Sequence, residues 1–408
     1  MFNLLDIQLA WPPNTQPFIF NRLRALAEHE VRITVVISSI EKIDPSLIPF
    51  ARIIRLPHRE ESRSMILVRT FAYTINAFLK QNRRFWQLIK IGAKLNRRFK
   101  HFIWWWATCA PLLQVKPDII HFEWNAAAIN YHWLPALWEC PFVVSCRGRQ
   151  VNILPHLPGQ ENYISQLRNS FYSAGRVHGV SQNILDEAVQ YGLDRNKGVV
   201  IYTAVDVNYY SPRPQIAHMP KGKFRLINVG VSIWRKGYEN LLLAINSVIA
   251  KGYDVQLDVA DWDGPERERL IYTAKDLGIG DKVHILGKIT PEEVREALWA
   301  SNAFILSSLS EGISNALLEA MSCALPVITT DCGGMREAMT DGVEGYIVPT
   351  RDPEAMAQAI IKLIENPENA IKMGQAGRNR VLHQFTLEKQ GKAFLNLYTQ
   401  MLSSNQNS

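Results

Sequence analysis

The sequence predicts an α/β protein made of two parallel sheets, each covered by helices, and three observations predict it. Short β-branched runs alternate with longer amphipathic stretches along the whole chain. The alternation occurs twice, on either side of the proline-rich stretch SPRPQIAHMPKGK at 211–223. And 408 residues, 47% hydrophobic and 20% charged, are too many for one ordinary domain and enough for two cores.

In the first half the predicted strands are 4–8, 33–37, 53–56, 118–122, 142–145, 176–180 and 199–202. Helical periodicity fills 16–27, the long 68–109 region and 182–191 between them. After the linker a second series follows: FRLINVG, a helix from Tyr238, VQLDVA, a helix from Pro265, KVHILG and a helix from Pro291. It continues through AFILSS, a helix from Ser314, LPVITT, a short helix near Met335 and GYIVP. Thr290 before Pro291 is a capping residue followed by proline at the first helical position. The closing TLEKQGKAFLNLYTQML puts Leu387, Gly391, Phe394, Tyr398 and Met401 on one face. The expected organisation is a Rossmann-like domain at 1–210, a linker at 211–223, a second Rossmann-like domain at 224–385, and a terminal helix at 386–408 that packs back on the first domain. Open sheets of this kind bind ligands beyond the carboxyl ends of their strands, so a cleft between the halves is the expected site.

Charge is uneven. The net charge is +7, and residues 1–210 hold 24 Lys and Arg against 15 Asp and Glu. Residues 62–117 contain 11 Lys and Arg and no acid. The first half therefore calls for an anionic partner, either a membrane surface or a phosphorylated substrate. NRRFWQLIKIGAKLNRRFKHFIWWW reads as one basic amphipathic helix, and Arg83, Arg84, Lys90, Lys94, Arg97, Arg98 and Trp104 are its candidate membrane contacts. The plainer alternative is a helix with a solvated basic side. No nucleic-acid motif accompanies the charge. The uncharged run 102–115 is too short to span a bilayer, which takes about 20 residues. The first residues, MFNLLDIQLAWPPN, carry Asp6 and no basic run, so no secretory signal is expected. Five scattered cysteines without CxxC spacing point to buried thiols in a reducing compartment.

The chemistry concentrates in EGISNALLEAMSCALPVI. Glu311 stands in a loop with Gly312 behind it, Ser314 is a natural N-cap, and Glu319 falls in the second turn of the helix. Between the acids the free N–H groups of Ile313, Ser314, Asn315 and Ala316 make an anion site at a positive dipole end. Two carboxylates repel a bare pyrophosphate. A ligand with phosphates in the middle and hydroxyls at both ends suits them, and that describes a nucleotide-sugar. The alternative for either acid alone is a solvated carboxylate favoured by the helix dipole. Arg235 and Lys236 in GVSIWRKG, after Gly230, sit at a strand carboxyl end, where a leaving diphosphate needs positive charge.

SLSEGISNALLEAMSCALPVITTDCGGMREAMTDGVEGYIVP resembles the signature of retaining GT-B glycosyltransferases of family 4, with its two glutamates eight apart. The similarity continues through INVGVSIWRKGYENLLLAI, HILGKITPEEV, the VHGVSQNILDEAVQYGL block and the closing helix. The resemblance implies a GT-B fold and transfer of a sugar from an NDP-sugar to a glycan or lipid-linked acceptor with retention, by attack on the face the phosphate leaves. Cell-surface polysaccharide or glycolipid synthesis is the implied setting, at the inner face of the membrane. Glu311, Lys236 and Arg235 are the implied catalytic residues. Glu319, Gly312, Ile313, Ser314, Asn315, Gly230, Lys288 and Ile289 are the implied donor contacts. No cofactor and no metal is expected, although the DWD at 261–263 imitates a metal-binding Asp-x-Asp. Three positions depart from the family pattern: Val231 replaces an arginine, Trp262 a glycine and Arg147 a histidine. In the first half Arg147, Arg149, His121, Glu123, Asn14 and Thr15 are the candidate acceptor contacts, and His121 reads equally well as a core histidine. The alternatives are a GT-B-like nucleotide-sugar epimerase and a non-catalytic nucleotide-sugar-binding protein. The base, sugar, acceptor and oligomeric state stay open.

Overall fold

The computed structural model describes residues 1–9, 17–38, 49–58, 61–96, 98–213, 223–261 and 264–406. The candidate residues Asn14, Thr15, Arg97 and Trp262, and most of the predicted linker, lie outside them. The chain divides into two compact units: 1–180, 185–201 and 391–408 form one, and 181–184 and 202–390 the other.

Unit one holds a seven-stranded sheet in the order β3-β2-β1-β4-β5-β6-β7, every pair parallel. Its strands are β1 (Phe2–Leu9), β2 (Val31–Ile37), β3 (Ala51–Arg55), β4 (Ile119–Phe122), β5 (Phe142–Cys146), β6 (Arg176–Gly179) and β7 (Gly198–Val200). Each lies within two residues of a predicted run, because β-branched stretches bounded by polar turns have few other outlets. The helices begin with α1 (Pro17–Ala27). Between β3 and β4 the basic region is broken into α2 (Arg63–Lys80), α3 (Asn82–Leu95) and α4 (Phe99–Cys109). The continuous 82–106 helix is thus corrected to two helices. Asn96 is extended and its side chain donates to the Gly92 carbonyl, which closes α3. Around β5 and β6 follow α5 (Asn125–Asn130), α6 (Leu134–Trp138), α7 (Arg149–Asn152), α8 (Glu161–Ser173) and α9 (Gln182–Gln190).

Unit two holds a six-stranded parallel sheet in the order β10-β9-β8-β11-β12-β13. Its strands are β8 (Phe224–Gly230), β9 (Val255–Asp261), β10 (Val283–Ile285), β11 (Ala303–Leu306), β12 (Val327–Thr330) and β13 (Gly345–Val348). The helices are α10 (Tyr238–Ala250), α11 (Arg267–Asp276), α12 (Pro291–Trp299), α13 (Asn315–Ser322), α14 (Met335–Ala338), α15 (Pro353–Glu365) and α16 (Pro367–Gln384). Alternate strand residues feed two cores. Leu226, Leu257 and Ile305 pack against α10 and α15, while Ile227, Phe304 and Leu306 pack on the other side with α12 and α13. Thr290 caps α12 through a full capping box with Glu293.

The last helix, α17 (Leu387–Gln406), joins unit one from Gly391 onward. Phe394, Leu397, Tyr398 and Met401 complete the core formed by Leu4, Ile33 and Val35. Gly391 is needed there, since a Cβ would stand 2.7 Å from that of Ala25. All five cysteines are free thiols, and Cys109, Cys146, Cys323 and Cys332 are buried.

Candidate functional site

In the sheet of unit two the chain leaves β8 toward β9 on one side and leaves β11 toward β12 on the other. The point between β8 and β11 is where the winding reverses and two loops diverge, leaving room for a ligand. Lys236 arrives after β8 on a short 3-10 turn, Trp234–Lys236, and Glu311 follows β11. Lys236 Nζ donates to Glu311 Oε1 at 2.6 Å, and both side chains are nearly buried.

The surrounding loops are tied by hydrogen bonds. The Leu309 N–H donates to the Arg235 carbonyl at 2.6 Å, and Ser307 Oγ donates to the Lys236 carbonyl at 2.8 Å. Ser308 Oγ donates to Glu311 Oε1 at 2.8 Å, while Thr330 Oγ1 donates to the Ser308 carbonyl. The loop after β12 closes the group, because the Gly334 N–H donates to the Gly312 carbonyl at 2.7 Å. Gly333, at φ +55°, passes so near Glu311 that a Cβ would lie 1.9 Å from its carbonyl oxygen. At Gly230 the constraint is milder: a Cβ there would crowd Lys236 Cε at 3.1 Å, a flexible side chain rather than backbone.

Glu311 experiences opposed effects. Burial pushes its carboxyl up, but the Lys236 ammonium with its hydrogen bond, then Arg235 and Ser308, outweigh burial and hold it below the usual range. It is an ionised acid in an ion pair. Arg235 is half-buried, and its Nε has no hydrogen-bond partner among the described residues.

Ser314 caps α13, its Oγ accepting from the Leu317 N–H. The N–H groups of Asn315 and Ala316 open the helix with no carbonyl a turn earlier to receive them. Asn315 Oδ1 accepts from Thr203 Oγ1 at 2.7 Å, which fixes the first residue of the helix. Ile313 is buried in the core beside Leu317. Glu319 lies one turn after Asn315 on the same face. The Cα–Cβ bonds of a helix tilt toward its N-terminus, so the side chain of Glu319 starts out toward the end of α13 where those amides open. It is 9% exposed. No hydrogen bond or ion pair engages it among the described residues, and burial alone pushes it up to about 7.

Lys288 and Ile289 follow β10, two strands away from β8. Lys288 is exposed and Ile289 half-buried against the second core. Asp261, first acid of the DWD stretch, is fully buried, and its Oδ1 accepts from the Ser232 and Gly264 N–H groups at 2.8 and 3.3 Å. Its charge organises the loop after β8. The partner acid at 263 lies outside the described residues.

The candidate acceptor residues of unit one sit in a buried polar network. Arg22 pairs with Asp6 and, at 2.7 Å, with Glu123, and Arg147 pairs with Glu123. His121 is fully buried, with Arg22 and the Tyr398 hydroxyl donating to Nδ1 at 3.0 and 2.5 Å. Its Nε2–H donates to Ser145, Ser145 donates to His178 Nδ1, and His178 Nε2–H donates to the Ile201 carbonyl. Burial, then the Arg22, His178 and Arg147 charges, holds His121 well below its usual range, so it is neutral. The structure thus places His121 and Glu123 in the interior, with protein groups on them. A strand-end position is compatible with either face, and only the partner Arg22, which no spacing rule pairs with them, decides it. Asp6, His121 and Glu123 bring ligand atoms within 4.8 Å of one another, but Arg22 and Arg147 already neutralise the two carboxylates. Arg149 is exposed at the start of α7.

Two family models match the chain: "Glycosyltransferase Family 4" over residues 17–209 and "Glycosyl transferases group 1" over 213–380. The chain is 28% identical over 272 residues to N-acetyl-alpha-D-glucosaminyl L-malate synthase of Bacillus anthracis, covering 65% of this chain and 69% of that protein. It is 30% identical over 179 residues to the lipopolysaccharide core biosynthesis glycosyltransferase LpsE of Rhizobium meliloti, covering 44% of this chain and 49% of that one. Its fold matches HepE of Anabaena, solved in complex with UDP, with a TM-score of 0.73 at 15% identity over 98% of this chain and 100% of the other. With both units matched by models of one enzyme group and the GT-B fold shared along the whole length, the chain belongs to the family 4 glycosyltransferases.

Proposed function

We propose that the protein transfers a sugar from an NDP-sugar to a glycan or lipid-linked acceptor with retention of anomeric configuration, in the synthesis of a cell-surface polysaccharide or glycolipid. The observation that carries the reading is Glu319, a buried carboxylate with no hydrogen bond or ion pair among the described residues, one helical turn after the open amides of α13. A buried acid left unpaired costs stability, and the hydroxyls of a ribose relieve that cost by donating to it. The amides of Asn315 and Ala316 then take the diphosphate. HepE bound to UDP and to UDP-glucose supports a nucleotide-sugar donor, and LpsE supports the setting.

Lys236 and Arg235 neutralise the charge that grows on the departing diphosphate, the largest electrostatic demand of the step. The C1–O bond to phosphate breaks while the acceptor oxygen bonds to C1 on the same face, and the acceptor proton passes to the departing phosphate oxygen. Glu311, ionised and held by Lys236 and Ser308, keeps that ammonium in place and receives hydroxyls of the transferred sugar. No metal is assigned to the step. Thermal-shift screening against UDP, GDP, ADP and their sugars identifies the donor, since a ligand of the folded state stabilises it by RT ln(1 + [L]/Kd) and, at equal concentration, the tightest binder raises the unfolding temperature most. NMR of the product then reads the anomeric configuration. Donor consumed without a new glycosidic bond would mark an epimerase. Nucleotide binding without turnover would mark a binding protein.

A further inference from the structure

Helix α2 has its polarity reversed. Ile66 and Ala77 are its buried residues. Its large apolar side chains, Leu67, Val68, Phe71, Ile75, Phe78 and Leu79, are exposed, with Phe71 at 68% and Leu79 at 72%. At 100° per residue these six share an arc of about 120°. Met65, also exposed, extends the arc to about 160°. Only Ser64 and Ala72 interrupt it, and no charge does. The opposite side carries the buried Ile66 and Ala77, and its margins are tied down: Trp106 Nε1 donates to Thr74 Oγ1 at 2.9 Å and Asn76 bonds Gln114, while from the apolar arc itself the Phe78 ring meets Phe85 of α3 edge-on at 5.4 Å. The helix is therefore fixed with its oily face outward, and a contiguous patch of this kind marks a contact surface.

The charge around it selects the occupant. Residues 62–117 have 11 cations and no acid, and among the described residues no ion pair engages Lys80, Lys90, Lys94, Arg98 or Lys100. Trp86 and Trp104 are half exposed on the neighbouring helices α3 and α4. A second copy docking by two-fold symmetry would set this cationic segment against itself. An anionic lipid surface takes the apolar arc into its acyl boundary, the tryptophans at headgroup level and the lysines against phosphate. No helix among the described residues is long and apolar enough to cross a membrane, so contact is lateral.

We propose that the exposed face of α2, together with Lys90 and Lys94 of α3 and Arg98 and Lys100 at the start of α4, docks the protein on an anionic phospholipid bilayer. The anchor differs from the one expected from sequence. The apolar part of the contact comes from α2, while Arg84 is turned inward, stacked 4.6 Å from the Trp138 ring, and Arg83 faces Glu139.

The test is flotation of the full chain with phosphatidylglycerol-rich and with pure phosphatidylcholine vesicles, at low and high salt. Wild-type protein floats with the anionic vesicles and less at high salt. The double variant Phe71→Glu/Leu79→Glu loses at least about tenfold in partitioning, and Lys90→Ala/Lys94→Ala/Lys100→Ala loses the salt sensitivity. All five side chains are exposed, and an unchanged melting temperature confirms each variant is folded. Absence of flotation of the wild type, or equal flotation of the glutamate variant, overturns the proposal. So does sedimentation showing a dimer that Phe71→Glu dissociates, because the patch is then an interface between copies. Nucleotide binding by unit two is measured separately and is unaffected by either variant, so failure here leaves the proposed transfer reaction standing.

Discussion

Above about pH 7 Glu319 is ionised against its surroundings in the free protein. Its carboxyl is pushed up to about 7 by burial, against an unfolded value near 4.5. A folded value above the unfolded one means the folded state binds the extra proton, so stability falls as pH rises from about 4.5 through about 7. At pH 8 the cost is on the order of 3 kcal/mol. Glu319→Gln is therefore expected to melt higher than wild type at pH 8 and alike near pH 4.5, which a thermal melt at both values checks. Nucleotide binding has the opposite interest, because ribose hydroxyls need the carboxylate. Donor Kd is expected to rise as pH drops below about 7, by up to about tenfold per unit, and Glu319→Gln is expected to bind weakly with a flat profile. Titration calorimetry between pH 6 and 8 reads both. Glu311 does not confuse the result, since it is held below its usual range and stays ionised there. Its removal acts on the chemistry. Glu311→Ala and Lys236→Ala are each expected to lower kcat by about 10²–10³, whereas Glu319→Ala chiefly weakens donor binding. Equal small losses for Glu311→Ala and Glu319→Ala would contradict the assignment. The two acids were legible because they share one stretch, 311–319, and Lys236 because it closes a separate strand-end stretch, 230–237; their meeting across 75 residues was not. Thr330 and Thr203 were not, since each bonds a partner, Ser308 or Asn315, that only the fold brings near, and Ser308, three residues before Glu311, belongs to no spacing rule that would mark it.

The loops around these residues depend on backbone approach more than on side chains. Gly333 combines φ +55° with a Cβ position 1.9 Å from the Glu311 carbonyl oxygen, so an added methyl meets fixed backbone. Gly333→Ala is expected to displace the Glu311 loop, destabilise unit two by more than the roughly 1 kcal/mol of ordinary glycine replacements, and reduce kcat. Gly342→Ala is the control: its φ is also positive, but nothing lies within 4 Å of the added Cβ. If both variants lose kcat alike, crowding at Glu311 is not the cause. Strands and helices of both units were readable from periodicity, and the segment 63–109 shows where that stops. Periodicity gives the apolar face of α2 but says nothing about which face meets the protein. The decision is made by Thr74 and Asn76, whose bonds to Trp106 and Gln114 seat the polar side inward. The same limit applies to α3 and α4, where Phe85, Leu88 and Trp106 are buried as their spacing suggests, yet Leu95, Phe99 and Ile103 of the same stripe are exposed.

Each unit carries buried titratable groups, and the histidine pair of unit one responds to acid in the direction opposite to Glu319 of unit two, with Glu123 of unit one, also raised by burial, opposing the histidines. In unit one His121 and His178 are fully buried and neutral, and burial, with Arg22 and Arg147, holds both well below the usual histidine range. Their unfolded values lie near 6.5, so the unfolded state gains protons first. Stability of unit one is complete above that value and is lost as pH falls through it. The network they belong to runs from β1 and α1 through β4, β5 and β6 to Tyr398 of the terminal helix, so its loss loosens the sheet and the end of the chain together. Unit two moves the other way over the same range, because acid neutralises Glu319 and removes its burial cost. Acidification from pH 8 to 6 is thus expected to lower amide protection, the intrinsic exchange rate at each pH divided by the observed one, in β4 and β6 and to raise it in β11 and β12, as hydrogen–deuterium exchange resolved by peptide would read. Glu319→Gln abolishes the change in unit two and leaves unit one alone. Tyr398→Phe deletes the hydroxyl that donates to His121 and accepts from Arg22, and is expected to speed exchange in β4 at both pH values with β11 unmoved. Parallel responses of β4 and β11 to acid would show that the histidine network and Glu319 do not govern the stability of the units that contain them.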